Sequence, residues 1–397
     1  MAAIAESVAE TPILDSAVRP KGKRKNLVNI VFGILLGIPF GIALIVASSR
    51  ARAARNPAAD YLILIYILAF VLAIVLHELG HLLAGWTVGF HFSSITVGPF
   101  SARLEYGRLR IQVRRTLPAG GYAGMHVDRI RRLRRRLLIF TFAGPLANLV
   151  SAALTAALAS SLSAQPGWLS TFCEIFWMIS VILGLSNLLP IRLGVLYPDG
   201  ARIRMLLSSR DKSRRWMSLT AIGAQSQAGV RAKQWRRTWL EAAGKIHDGT
   251  VDDFAGNWIA YFAANDRKDA PVAAAHLERC LALSNLLGPS LQDFVALEAA
   301  VFTAWFRQNA ATAQRWFDQV KHFKSLPQLM QIRAEIALRC ARRQFEPALA
   351  RLQDALAFVE KLPNTPIKAR LRDGLIEWRD EICEREQDQK FPAIATW

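Results

Sequence analysis

Two histidines and a glutamate with the spacing of a metal site lie inside an apolar stretch of this chain. His77, Glu78 and His81 form the pattern HExxH, and residues 61–89 around them are predominantly apolar and long enough to cross a bilayer. Residues four positions apart share one face of a helix, so both imidazoles can bind the same metal ion. Glu78 would then lie beside the ion and act as a base toward water that the metal activates. The pattern therefore predicts zinc-dependent hydrolysis of peptide bonds at membrane depth.

The alternative is an accidental match on a buried helix. Histidine and glutamate are costly to bury in a membrane and by default mark function there, which argues against an accident. A catalytic zinc ion usually has three protein ligands, and Asp199 is the best candidate for the third. Read alone, the Pro198-Asp199 pair with its following glycine is a turn that caps a helix beginning at Ala201. Both roles can coexist, so the sequence predicts that the two histidines and Asp199 together hold Zn²⁺.

Four stretches of the chain are apolar enough to form membrane-spanning helices. They are residues 27–49, 61–87, 137–161 and 169–190. Basic residues cluster at 19–25, and eleven arginines lie in 103–136 between the second and third spans. Because positive charge marks cytoplasmic loops, we expect an integral protein of a bacterial cytoplasmic membrane whose N- and C-termini are cytoplasmic. Three arginines within 50–55 fall on the opposite side and count against this topology.

The net charge of +19 has two further interpretations. The arginine cluster at 129–136 fits contact with anionic lipid head groups. Nucleic-acid binding would explain the charge as well, but no fold signature accompanies it. We therefore expect the lipid bilayer, and no nucleic acid, among the partners.

Composition divides the chain into four parts. We predict that residues 1–26 are a disordered basic N-terminus and that residues 27–207 form a four-span membrane metalloprotease core. An interfacial linker with three tryptophans follows at 208–240, and a cytoplasmic helical domain at 241–397. The fold class is mainly α: a polytopic helical membrane protein with a small β-sheet insertion and a C-terminal α-helical repeat domain.

The β insertion is predicted at about 92–122. Residues 93–97 and 108–113 alternate between apolar and polar types, as half-buried strands do, and 105–108 fits a hairpin turn. The exposed edge of such a sheet could pair with an extended substrate segment by strand addition. Equally, it could be a structural hairpin that only packs on the membrane face.

Helix pairs recur in the C-terminal domain. Ala304 and Ala337 occupy similar first helices, 33 residues apart, while Ala313 and Ala348 occupy similar second helices, 35 residues apart. This spacing resembles tetratricopeptide repeats, whose concave face binds peptides, so a peptide or protein partner is expected. An irregular helical bundle is the alternative, because the match is degenerate.

The membrane part resembles the site-2 protease family of intramembrane zinc metalloproteases. Five elements carry the resemblance in family order: HExxH at 77–81, LPAGGY at 117–122, FAGPLAN at 142–148, NLLP at 187–190, and Asp199-Gly200. The chain departs from the family pattern in the eight residues between Pro190 and Asp199, in Pro198 where many members carry leucine, and in lacking a PDZ-like segment.

The resemblance implies a zinc endopeptidase that cleaves a membrane-spanning protein by attack of zinc-bound water, with Glu78 as the catalytic base. Asn187 or Asn148 could donate a hydrogen bond to the oxyanion or to the substrate backbone. For Asn148, a structural role in a small-residue helix face is the favoured alternative. Gly120, Gly121 and Tyr122 are candidates for a loop that contacts substrate. The rival from another class is a non-proteolytic membrane scaffold that recruits partners through its helical repeats.

Overall fold

The computed structural model describes residues 12–18, 26–53, 56–105, 107–113, 120–127, 129–164, 167–191, 197–208 and 210–390. The chain divides into two compact units, residues 25–213 and residues 1–24 together with 214–397. The first unit is a membrane core with a small sheet, and the second is entirely helical in its described residues.

Six helices lie in the described residues up to 208. They are α1 (Pro12–Ser16), α2 (Asn26–Ala53), α3 (Leu62–Thr87), α4 (Leu133–Ser161), α5 (Trp168–Asn187) and α6 (Asp199–Ser208). Nine further helices follow. They are α7 (Arg210–Gln227), α8 (Arg237–Gly244), α9 (Val251–Asp266), α10 (Ala270–Leu283), α11 (Pro289–Phe306), α12 (Ala310–Phe317), α13 (Gln328–Ala341), α14 (Phe345–Glu360) and α15 (Pro366–Lys390).

Three helices of the membrane core are long and apolar enough to cross a bilayer. They are α3 with the short 3₁₀ turn before it (Ala58–Thr87), α4 and α5. In α2 the described side chains form a shorter apolar stretch, Gly37–Arg50, whereas the side chains of 26–36 in the predicted first span lie outside the described residues. The polytopic helical fold class is confirmed.

The fourth helix begins at Leu133, four residues before the predicted span and inside the arginine-rich stretch. Arg136 explains this early start. Its guanidinium is buried and donates from Nε to Val88 O at 2.6 Å and from Nη2 to Gly89 O at 3.0 Å. Those carbonyls belong to the end of α3, which a cation stabilises. One arginine thus ties the end of α3 to the first turn of α4.

Small residues let α3 and α4 approach closely where the HExxH pattern lies. A Cβ added to Gly80 would lie 2.6 Å from both Ala143 O and Ala147 Cβ. Small faces of this kind are how membrane helices pack without a hydrophobic driving force. The packing brings the chemically active turn of α3 directly against the backbone of α4.

A four-stranded antiparallel sheet follows α3, and it extends beyond the predicted 92–122. Its strands are β1 (Phe90–Val97), β2 (Phe100–Glu105), β3 (Arg108–Val113) and β4 (Gly121–Val127), in the order β3-β2-β1-β4. Glu105 pairs with Arg108, and Gly107 has φ 79°, which glycine adopts readily in a tight hairpin turn. The predicted hairpin is therefore present, and β4 forms the second edge of the sheet.

The β2–β3 hairpin has one apolar face that is open. Its cross-strand pairs are Phe100 with Val113, Ala102 with Ile111 and Leu104 with Leu109. The five large members are 48–72% exposed. The opposite face carries arginines in place of apolar residues. An exposed apolar patch next to membrane helices fits contact with lipid better than contact with water.

The helical unit is built from helix pairs, α9 with α10, α11 with α12, and α13 with α14. Each pair turns in the same way, because the second residue after the first helix takes a left-handed conformation. These residues are Lys268 (φ 61°), Gln308 (φ 49°) and Arg343 (φ 59°). The next residue, Asp269 or Asn309, caps the second helix in the first two pairs. The predicted helical domain is confirmed, with the alanines at 304, 313, 337 and 348 fully buried.

Two stretches differ from their predictions. Residues 12–18 were expected to be disordered with the rest of 1–26, but they contain α1 and a fully buried Leu14. The residues 1–11 and 19–25 lie outside the described residues.

In the expected interfacial linker, Arg215 is 1% exposed and pairs with Asp248, and Trp235 packs against Ile222. Tryptophan among basic residues is typical of a membrane interface, but here protein contacts bury Trp235, while Trp216 and Trp239 are half-buried.

Candidate metal centre

The HExxH residues lie on the buried face of α3. His77, Glu78 and His81 are 7%, 4% and 6% exposed, although the helix is long enough to span a membrane. The two imidazoles lie one turn apart with ring centroids 4.9 Å from each other. Burial of three ionisable groups in an apolar helix is expensive unless they bind a partner.

Asp199 brings the third donor to the two histidines from more than a hundred residues away in the sequence. Its Oδ2 lies 3.2 Å from His77 Nε2 and 3.4 Å from His81 Nε2. The carboxylate belongs to the first residue of α6, which begins two residues before the predicted start at Ala201. A Cβ added to Gly200 would lie 2.0 Å from Leu188 O, so only glycine lets α6 begin so close to the end of α5. Asp199 therefore lies at the start of a helix and close to both histidines at the same time.

The three donor atoms fit a tetrahedral ion. The remaining separation, between the two Nε2 atoms, is 3.3 Å, so the three distances span 3.2–3.4 Å. Ligands about 2.0–2.1 Å from a tetrahedral zinc ion are roughly 3.3 Å apart. Two imidazoles and one carboxylate suit zinc and leave a fourth position open. Among the described residues this group has the composition and spacing to hold a metal ion.

Helix α4 orients both imidazoles through their other ring nitrogens. Phe140 O lies 2.7 Å from His81 Nδ1, which fixes a proton on Nδ1 and leaves Nε2 free to coordinate. Asn148 Nδ2 lies 3.4 Å from His77 Nδ1. Asn148 is 0% exposed, and its Oδ1 is buried with no hydrogen-bond partner.

An orphaned amide oxygen beside His77 indicates what Asn148 does when a metal is bound. A His77 that coordinates through Nε2 must carry its proton on Nδ1, and that N–H needs an acceptor. A half-turn of the Asn148 amide places Oδ1, instead of Nδ2, against Nδ1. We therefore interpret Asn148 as a positioning residue for His77 rather than as an oxyanion donor.

This interpretation predicts different effects for two substitutions of Asn148. We expect Asn148→Leu to lower zinc affinity by about 10–100-fold, the usual cost of losing the partner of a ligand histidine. Asn148→Asp keeps an acceptor and should retain affinity near the native value. Zinc dissociation constants from competition with a chromophoric chelator give the comparison. Equal losses in both variants would contradict the assignment.

Glu78 faces the beginning of β4. A Cβ added to Gly121 would lie 2.2 Å from Glu78 Oε1, so glycine is required for this close approach. Glu78 also lies within electrostatic range of His81 and Asp199. Of the predicted substrate-loop residues, Gly121 therefore touches the catalytic candidate, whereas Tyr122 is 62% exposed and Gly120 precedes the strand. Residues 117–119 of the LPAGGY motif lie outside the described residues.

Asn187 does not join the group as the structure describes it. Its Nδ2 donates to Leu183 O at 3.0 Å within its own helix. This bond belongs to the last turn of α5, just before the chain leads toward Asp199. The described contact supports the structural alternative for Asn187 rather than the oxyanion role.

Sequence reasoning missed the contribution of Gly144. A Cβ at this position would lie 2.3 Å from His81 Nε2 and 2.6 Å from His81 Cε1. Gly144 lies in the FAGPLAN element, for which we expected a small-residue helix face, but it also makes room for the candidate ligand His81. The sequence feature that could have indicated this contact is the position of Gly144 one helical turn before Asn148, in the same small-residue motif.

The comparisons with known proteins concern the membrane core. The family model described as Peptidase family M50 matches residues 65–166. The match includes the histidines, Glu78 and Asn148 but ends before Asp199, which the structure supplies. Searches of curated proteins and of solved structures each gave no significant match.

Proposed function

We propose that this protein is a zinc metalloendopeptidase of the site-2 protease type that cleaves a membrane-spanning protein, because the model of peptidase family M50 matches residues 65–166 of its membrane core. The family is one of membrane metalloproteases that are generally zinc-dependent. The observation that carries the finer proposal is the triangle of donor atoms, 3.2–3.4 Å apart, two of which lie on a helix that can span a bilayer.

The residues divide the chemistry among them. His77, His81 and Asp199 would hold zinc, which supplies Lewis-acid activation of water and of the scissile carbonyl. Glu78 accepts the proton that the attacking water loses and returns it to the leaving amine. A base cannot also be a metal ligand, and Glu78 is the one acidic group of HExxH that stands outside the donor triangle. Asn148 and Phe140 O hold the two imidazoles in the coordinating orientation.

The edge strand β4 is the best candidate for presenting substrate. A membrane helix must be extended before water can reach its peptide bonds, and strand addition stabilises an extended segment. The sheet has two edges, β3 and β4, and β4 begins at Gly121, in contact with Glu78. A substrate strand paired with β4 would therefore pass beside the base, which refines the predicted edge pairing to one strand.

Several features support a membrane location with cytoplasmic termini. Basic residues precede the first span and accompany the sheet, as in the cytoplasmic loops of bacterial inner-membrane proteins. The hairpin β2–β3 has an apolar face for lipid and arginines on the other face for head groups. The helical pairs fit a tetratricopeptide-like domain that binds a peptide or protein partner.

The metal content of purified protein tests the proposal against the scaffold alternative. We expect about one zinc ion per native chain, because three matched donors converge, and loss of stoichiometric zinc in Asp199→Ala. Asp60→Ala removes an exposed carboxylate elsewhere in the core and should leave the zinc content unchanged. Elemental analysis after dialysis measures the zinc content of the native protein and of both variants. A native chain without zinc would favour a scaffold that has no use for metal.

A further inference from the structure

We propose that the groove between α10 and α12 is a peptide-binding site, occupied by residues 12–18 of this chain; we call this contact the strap. The inference is independent of the proposed catalysis, since it concerns the unit formed by residues 1–24 and 214–397.

Side chains of the groove bind both the N–H groups and the carbonyls of the segment. The carboxylate of Glu278 accepts from Ile13 N at 2.7 Å and from Leu14 N at 2.9 Å. Trp316 Nε1 donates to Leu14 O at 2.8 Å, and Gln319 Nε2 donates to Ala17 O at 2.7 Å. All four bonds use side chains of the groove and backbone atoms of the segment, which is how a protein reads a peptide of varied sequence.

Side-chain contacts select the segment. Leu14 is 0% exposed and Ala17 7% exposed, and both join the apolar cluster that contains Leu277 and Trp316. Asp15 forms an ion pair with Arg307 from the turn before α12. The site therefore takes a short helical turn with a buried leucine at its third position and an acidic residue after it.

The contact is small enough to be exchangeable. One buried leucine and a few hydrogen bonds barely offset the entropy lost when seven residues become ordered. A tether raises the local concentration of the segment to the order of millimolar, so a weak site can still be filled. A partner segment of the same chemistry could then replace residues 12–18 and release the strap.

The strap also bears on membrane topology. Because residues 12–18 and 214–397 belong to one compact unit, the chain between them must cross the bilayer an even number of times. Three helices are clear candidates by length and hydropathy. If all three cross, an even number needs a fourth span, and α2 with its apolar stretch Gly37–Arg50 is the candidate that we propose for it.

Cysteine protection in the full-length protein tests the strap. In detergent-purified protein, Leu14→Cys should react with a maleimide about tenfold or more slowly than Val18→Cys, because position 14 is 0% and position 18 is 63% exposed. Adding Glu278→Ala should bring the Leu14→Cys rate toward the Val18→Cys rate. If Leu14→Cys itself weakens docking, Ala17→Cys reports the same protection. Equal rates at buried and exposed positions in the native background would overturn the proposal.

A peptide competitor and a side-specific label complete the test. A synthetic peptide of residues 12–18, at millimolar concentration, should accelerate labelling of Leu14→Cys, whereas the same peptide with Leu14→Asp should not. A membrane-impermeant maleimide should reach Val18→Cys and Leu291→Cys, an exposed position of the helical unit, from the same side of the membrane. Acceleration by neither peptide, or labelling from opposite sides, would contradict the inference.

Discussion

Replacement of Glu78 by glutamine should abolish cleavage while leaving zinc bound. Glutamine fills the same space beside Gly121 but cannot accept a proton, so the general-base contribution, about 10²–10⁴-fold in rate, is lost. The metal ligands are untouched, and their zinc content should stay near one ion per chain. Membrane-protein fragments compared between cells that contain the native and the Glu78→Gln forms provide the activity readout, with elemental analysis of both purified proteins.

Glu174→Gln is the matched control for this experiment. It makes the same change in another membrane helix, α5, where Glu174 lies 3.9 Å from Arg50 and is one-third exposed. We expect cleavage in this variant to remain within a few-fold of native. Full activity in Glu78→Gln would exclude the proposed mechanism, and loss of zinc from it would show that Glu78 supports the metal rather than the proton transfer.

The convergence of the two histidines with an acidic residue was predictable because these residue types are rare in their surroundings. Two histidines and a carboxylate inside an apolar helix have few purposes, and the i, i+4 spacing defines their common face without knowledge of the fold. Asp199 was harder, because its approach depends on the packing of α6 against α5. The Pro-Asp-Gly sequence predicted a turn at Asp199. The need of a catalytic zinc ion for a third ligand predicted that Asp199 approaches the two histidines.

The groups that orient the ligands were not predictable from residue types. His81 is held by the carbonyl of Phe140, and every residue has a carbonyl, so no sequence signal marks this one. Asn148 was noticed, but whether its amide faces a ligand or a substrate depends on the rotation of α4 against α3. That rotation is determined by close contacts such as Gly80 against Ala143, which appear only in three dimensions.

The helical unit shows the same division between local and tertiary information. Helix periodicity and the recurring alanines predicted the pairs, and the left-handed residue before each second helix is a local device. The burial of Leu14 and Trp235 was missed, because a short apolar segment in a basic context looks disordered or interfacial until a groove is found for it. The structure of such segments depends on contacts with residues that are distant in the sequence.

The second large effect is expected from a single methyl group on Gly144. In Gly144→Ala the new Cβ would lie 2.3 Å from His81 Nε2, far inside van der Waals contact. Rotation of the imidazole can relieve the clash cheaply, but it breaks the bond to Phe140 O and moves Nε2 away from Asp199. We therefore expect the substitution to weaken metal binding rather than to lower the stability of the fold. We expect zinc affinity to fall by about 100-fold or more, and cleavage with it, because a primary ligand is displaced.

Gly41→Ala separates this effect from a general intolerance of alanine in membrane helices. Gly41 lies in α2, where a Cβ would meet nothing within 4 Å, so the variant should bind zinc and cleave as the native chain does. Thermal unfolding of metal-free Gly144→Ala should match that of metal-free native protein if His81 yields rather than the helix contact. Native zinc affinity in Gly144→Ala would mean that α4 can shift away from His81. Large destabilisation of the metal-free form would mean that Gly144 serves helix packing before it serves the metal.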